Sequence, residues 1–355
     1  MAPGRICLFG DHQDYLGLPV IACAIDRKIT LTAHQNSENT FNISLPDINS
    51  SRVISLSESR AILHPRDYFV SALRVVKRYG CIPNCGYTVT ITGTIPINAG
   101  VSSSSALVVS WVHFLLMTFG SNKPINSQLI AQLAYEAEVT EHNEPGGKMD
   151  QYTSSIGNIL FIETGDSFRF KTIGYSLDGM ILSDSGIAKK TIDILSKTKD
   201  LVLESIQCVV EKVPDFVLED VQMNDTTLYL DFIPSKLQPY FIAAVKNHVI
   251  TQKALLEFSK ETFDLEKIGD LMTQHHEVLK DVLKITVPRI DAMIDSAMKE
   301  GAYGAKIVGS GGGGSIVVLS PAGKEEQLCR TLLKAGAKTA YTVSVSGGTL
   351  SEPHV

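Results

Sequence analysis

Four consecutive serines, Ser102–Ser105, follow Pro96, Gly100 and Val101 and run into Ala106. Before them, Gly86–Thr92 alternates in the β-branched pattern of a strand. After them, Leu107–Met117 is too long and too apolar for a strand and predicts a buried helix. A small-residue loop therefore carries hydroxyls to a helix start, where backbone N–H groups lack partners and the helix dipole is positive. Such an end favours an anion, phosphate above all, and the serines add donors and an oxygen ligand for Mg²⁺. Serine capping of a core helix is the plainer alternative, but one cap does not use four hydroxyls.

Three further stretches carry chemistry. At the start of the chain, Pro3–Gly10 ends in Asp11, His12, Asp14, Tyr15 and Gly17, two carboxylates and an imidazole on one tight loop. That set can hydrogen-bond several hydroxyls at once, as polyol recognition demands. Glu138–Tyr152 is a second polar cluster in which Pro145, Gly146 and Gly147 must end a helix and leave Asp150 at the start of a new segment. An aspartate there is a general base, a metal ligand or a cap. Near the end, Gly309 and Gly311–Gly314 join two strands. A strand follows them and no acidic residue is suitably placed, so the dinucleotide-binding reading fails, and the P-loop pattern is absent. So many glycines predict close approach to a backbone or a ligand.

The elements that position these stretches follow from periodicity. Strands are predicted at Cys7–Gly10, Ile25–Ala33, Phe41–Leu45 and Val53–Leu56, with an amphipathic helix over Pro65–Tyr79. A second helix runs from Ser127 to His142, and Asn158–Glu163 and Phe168–Ile173 form a hairpin turning at Gly165 and Asp166. Composition changes over Gly174–Gly179, which divides the chain into domains of residues 1–176 and 177–355. Beyond it come helices Lys236–Phe258, Leu265–Val282 and Arg289–Glu300, strands Ala305–Val308, Ser315–Leu319 and Ala340–Val345, and a helix near Glu325–Ala335. The tail after Ser346 is small and polar and predicted to fray.

At 355 residues, 44 % hydrophobic and 20 % charged, the chain has the composition of a two-domain globular protein. A net charge of −6 and the absence of a basic run exclude a general nucleic-acid or membrane-surface binder. The six cysteines are scattered, and the Cys81–Cys85 pair has no second pair to make a zinc site, so reduced thiols are expected. No signal peptide or apolar span of ~20 residues is present, and a cytoplasmic location is expected.

Taken in order, three motifs resemble the GHMP kinase superfamily of galactokinase, homoserine kinase, mevalonate kinase and phosphomevalonate kinase. Gly4-Arg5, Gly10-Asp11-His12-Gln13-Asp14-Tyr15 and Gly17 resemble the galactokinase signature. Pro96, Gly100, Val101 and Ser102–Ser104 resemble the phosphate loop, and Gly309–Gly314 the third motif, while Gly147, Met149, Asp150 and Gln151 add the galactokinase-type catalytic segment. The resemblance implies an α+β fold of two domains, an N-terminal mixed α/β domain and a ferredoxin-like C-terminal one, with the active site between them. It implies ATP and Mg²⁺, a small-molecule sugar as substrate, and a monomer or homodimer.

Carried over by residue, the resemblance makes Asp150 the base for a sugar's anomeric hydroxyl and Arg5 its cationic neighbour. Asp11, His12, Asp14 and Gly147 match hydroxyl-binding positions. Pro96, Gly100–Ser105 and Ala106 fall on the ATP loop, with Ser104 (or Ser103) and Glu138 as metal ligands. There are departures. Asp11 stands where the family usually has glutamate, and Gly312 where an aromatic is common. Leu182–Thr191 is unlike its galactokinase equivalent. The shorter Asp11 with Lys189 and Lys190 leaves room for an acidic sugar such as galacturonate. Galactose or a related sugar is the leading expectation. A uronic acid or mevalonate kinase, a non-catalytic sugar sensor, and a diphosphomevalonate decarboxylase are alternatives.

Overall fold

The computed structural model describes the chain apart from residues 57–62, 145, 166, 189, 190 and 350–355, and gives the backbone alone for 191–197. The predicted positions of Pro145, Asp166, Lys189 and Lys190 lie outside the described residues.

Two sheets form the frame. The first contains β1 (Ala2–Phe9), β2 (Val20–Gln35), β3 (Thr40–Leu45), β4 (Ser50–Ser55), β5 (Tyr87–Gly93), β6 (Ile159–Glu163) and β7 (Arg169–Gly174), in the order β4-β3-β5-β2-β6-β7 with β1 beside β2. Only the β3–β5 pairing is parallel. The second contains β8 (Met180–Asp184), β9 (Gly304–Ile307), β10 (Ser315–Leu319) and β11 (Thr339–Thr342), all antiparallel in the order β11-β8-β10-β9. With helices between the first and second and between the third and fourth of these strands, the order is that of a ferredoxin-like fold.

The helices are α1 (Tyr68–Arg78), α2 (Ser103–Phe119), α3 (Ser127–Glu138), α4 (Met149–Ile156), α5 (Thr191–Val210), α6 (Gln238–Phe258), α7 (Leu265–Asp281), α8 (Pro288–Lys299) and α9 (Glu325–Lys334). α2 is apolar around most of its surface because most of it is buried, Met117 being exposed, with Trp111 fully enclosed and its ring edge-on to Phe41 and Phe69. β1 is buried along its whole length, packed against α2 and α4 as well as α6 and α7. It therefore lies where the layers of the two halves meet, and its C-terminal end delivers the Asp11–Asp14 loop there.

Several boundaries differ from expectation. β1 begins at Ala2, five residues before the apolar signal at Cys7, because Pro3 and Gly4 mask it. The helix expected to reach His142 ends at Glu138 and tightens into a 3₁₀ turn, Thr140–His142, closed by Asn143 in the left-handed region. No element was expected between Gly179 and Lys236, yet β8 and α5 lie there. The tail is not frayed as far as Thr349. Val345 bridges to Ile25, Gly347 to Gly157, and the Thr349 N–H donates to the Ser155 carbonyl. We propose that the domains divide near residue 176, between β7 and β8, with residues 344–349 crossing back onto the first.

Candidate active site

Arg5 is set by backbone geometry. Its N–H donates to the Val101 carbonyl, which ties β1 to the serine loop. Its buried guanidinium then donates from Nε and Nη2 to the two oxygens of Asp150, at 2.8 and 2.9 Å, and from Nη1 to the Gly100 carbonyl at 2.6 Å. Burial alone would weaken this charge, but Asp150 holds the guanidinium firmly ionised. Asp150 stands in the first turn of α4, and its Oδ2 also accepts a 2.6 Å bond from Ser102.

Around this pair lies a cavity of about 380 Å³. It brings together Arg5, Asp11, His12, Asp14, Gly100, Ser102–Ser105, Glu138, Gly147 and Asp150. Three expected positions are not on its wall. Val101 and Ala106 are fully buried in the core and Pro96 is half-buried outside it, so they shape the loop from behind. The third motif contributes only Gly309 and Ser310. Its later glycines meet protein instead. The Gly312 and Gly314 N–H groups donate to the carbonyls of Ile285 and Ile187, and at Gly311 and Gly313, with φ of 84° and 137°, a Cβ would fall 2.5 and 2.6 Å from those same carbonyl oxygens.

Asp11 departs most from its expected role. One oxygen accepts from Lys306 Nζ at 2.5 Å and the other from the Gly309 N–H at 2.7 Å. Burial would push its pKa up, but Lys306 keeps it below the ordinary carboxylate value. Each oxygen thus accepts one bond from the second sheet or its glycine loop, and Asp11 holds that loop from the cavity wall. His12 Nε2 lies 3.1 Å from the Ser310 carbonyl and Nδ1 3.3 Å from the Tyr15 hydroxyl. Asp14 faces the cavity with its pKa raised to about 6, by burial first and then by the Asp150 charge. A Cβ at Gly147 would collide with the Asp14 carboxylate, which explains a glycine there.

Glu138, at the end of α3, is buried, and desolvation raises its pKa to about 7 despite bonds from Gln151, Ser105 and Ser104 that act the other way. Gln151 Nε2 donates to its Oε2 at 2.7 Å. Among the described residues no cluster of three His, Cys, Asp or Glu side chains could hold a metal. A carboxylate with serine hydroxyls is nevertheless the hard oxygen set that suits Mg²⁺, whose remaining positions go to water and phosphate. Buried without an ion-paired lysine or arginine among the described residues, Glu138 is a carboxylate that a divalent cation would suit.

Lys306, the bond from Gln151 to Glu138, and the Arg66–Tyr68–Glu144 group on the cavity wall were not anticipated. Arg66, at φ 59°, donates to Glu144 at 2.9 Å. Lys306 could have been found as a lone charge in an apolar strand pattern; Arg66 gives no sequence signal. All six cysteines are free thiols. No helix among the described residues is long and apolar enough to cross a membrane.

Comparison with known proteins defines the class. The GHMP kinases N terminal domain matches residues 67–158, the GHMP kinases C terminal domain residues 252–338, and the galactokinase galactose-binding signature residues 1–35. The chain belongs to the GHMP kinase superfamily and has its two-domain fold. Among its relatives, a mevalonate kinase from Thermococcus gammatolerans is 24 % identical over 99 % of this chain and 97 % of its own length. A galactokinase from Thermotoga neapolitana is 25 % identical over 94 % and 92 %. The crystal structure of Lactococcus lactis galactokinase complexed with galactose superposes with a TM-score of 0.86 at 20 % identity, covering 98 % of this chain and 93 % of that one. The chain is thus a small-molecule kinase of this superfamily, related about equally to galactokinases and mevalonate kinases.

Proposed function

We propose that this protein transfers the γ-phosphoryl group of ATP to the anomeric hydroxyl of a monosaccharide, galactose or a close relative, giving the sugar 1-phosphate. The observation that carries the reading is the carboxylate of Asp150, gripped through both oxygens by Arg5 on the wall of the cavity that Ser102–Ser105 also line. The match of residues 1–35 to a galactose-binding signature supports a sugar over mevalonate.

In this reading Asp14 and His12 bind sugar hydroxyls, and Gly147 makes room for Asp14. Asp150 accepts the anomeric proton as that oxygen forms its bond to the γ-phosphorus, while the bond from phosphorus to the β,γ-bridging oxygen breaks and ADP leaves. Arg5 keeps Asp150 ionised and offsets charge on the attacking oxygen. The start of α2 receives phosphate oxygens through N–H and hydroxyl groups. Glu138 and Ser104 are the residues that would hold Mg²⁺, which would neutralise phosphate charge. A cytoplasmic enzyme is the setting this reading implies.

Mevalonate kinase is the second reading, favoured by relatives of that name at similar identity. ADP release measured across free galactose, glucose, galacturonate and mevalonate separates them. Turnover with a free hexose is expected. Turnover with mevalonate alone overturns the sugar reading, and binding of ATP and sugar without turnover identifies a sensor.

A further inference from the structure

Serine is a favoured N-cap because, with an extended backbone, its Oγ accepts from an N–H two or three residues on. Ser102 occupies the N-cap of α2 yet has φ 58° and ψ 45°, in the left-handed region, and its side chain caps nothing. A residue with a Cβ enters that region at a cost, and such outliers persist where the surroundings impose them. Here Oγ points away from the helix and donates to Asp150 Oδ2 at 2.6 Å, with the residue almost fully buried.

We propose that Ser102 is a positioning residue for Asp150, and that its left-handed backbone is maintained to aim this hydroxyl; the inference rests on Asp150 being the base. Arg5 approaches the carboxylate from β1 and Ser102 from the phosphate loop, so donors on two elements fix its plane. The same rotation leaves the first turn of α2 without a serine cap, so its N–H groups stay available to phosphate. One residue thereby keeps the base oriented and the phosphate end of the helix open. This assigns Ser102 to the base, whereas the serine motif alone assigned it to ATP.

Glycine adopts the left-handed backbone without strain, so Ser102→Gly removes the hydroxyl and leaves the loop conformation intact. Among the described residues, the charged and titratable groups that interact with Asp150 are Arg5 on β1, Asp14 on the following loop and Glu138 on α3, while Asp11, His12, Tyr15, Arg66, Tyr68 and Glu144 line the same cavity. For Ser102→Gly the expected result is a kcat lower by roughly 10-fold, the scale of one hydrogen bond to a charged group. KM for ATP should stay within about twofold, and the acidic limb of the pH–kcat profile should move to higher pH, since the carboxylate loses a donor. In an Asp150→Asn background the glycine should add little further loss. Full kcat in Ser102→Gly, with Asp150→Asn inactive, overturns this proposal alone. A raised KM for ATP at unchanged kcat also overturns it, returning Ser102 to the phosphate. Full activity in Asp150→Asn defeats the reading of the base itself.

Discussion

The ammonium of Lys306, on the second sheet, lies 2.5 Å from Oδ2 of Asp11, on the loop that ends β1, and neither side chain reaches solvent. Lys306 completes its bonding with the carbonyls of Cys7 and Ile307 at 2.9 and 2.8 Å, while Asp11 takes the Gly309 N–H. The pair therefore joins the two halves of the chain beside the cavity.

Removing one member leaves a buried charge without its partner, which costs about 3–5 kcal/mol. Lys306→Met and Asp11→Asn are each expected to lower unfolding free energy in urea by that order. The double variant should lose less than the sum, because it leaves no charge stranded. Additive losses would mean that the two residues act independently.

Gly147 and Asp14 supply the second test. Gly147→Ala puts a methyl group into the Asp14 carboxylate and must displace it. Affinity for the sugar should fall roughly 10-fold or more, the scale of losing a hydrogen bond to a charged acceptor, with KM for ATP nearly unchanged. Unaltered sugar KM in a folded variant would take Asp14 out of the sugar site.

For Glu138, burial raises the folded-state pKa to about 7 from the ordinary 4.5. Between those values the folded protein holds a proton that the unfolded chain has released. The stability contributed is thus complete below pH 4.5 and lost as pH rises through 7. Glu138→Gln does not ionise and should be more stable than the parent at pH 8 by up to about 3 kcal/mol, with little difference at pH 4. It should also lose the thermal stabilisation that Mg²⁺–ADP gives the parent while binding free sugar normally. Equal stabilisation by Mg²⁺–ADP in both proteins would remove Glu138 from the metal site.

Sequence resolved the chemistry-bearing stretches better than the structure that supports them. The strand–serine–helix unit, the Asp11–Asp14 loop and the glycine motif were legible because small and polar residues interrupt strong apolar periodicity there. β8 was not, since Met180–Asp184 is buried on both faces and so does not alternate, and Ser183 and Asp184 cut its apolar run to three residues. In α5, buried Val202, Ser205 and Val209 do share one helical face, but a serine in that stripe weakens the signal. Long-range pairing was invisible. Nothing local says that Lys306 reaches Asp11 across nearly the whole chain, or that Thr349 returns to Ser155. The Ser102 backbone was hidden too, because a serine before an apolar helix predicts an ordinary cap.

The most direct test of the account is the turnover of Asp150→Asn on the sugar identified by ADP release. Asparagine keeps the shape of the side chain but cannot take the anomeric proton. With fold and sugar affinity verified, kcat should fall by roughly 10²–10⁴-fold, and Arg5→Ala should add less than its separate effect because the two act as a unit. A folded Asp150→Asn enzyme turning over its sugar near the parent rate would contradict the account and place the base elsewhere.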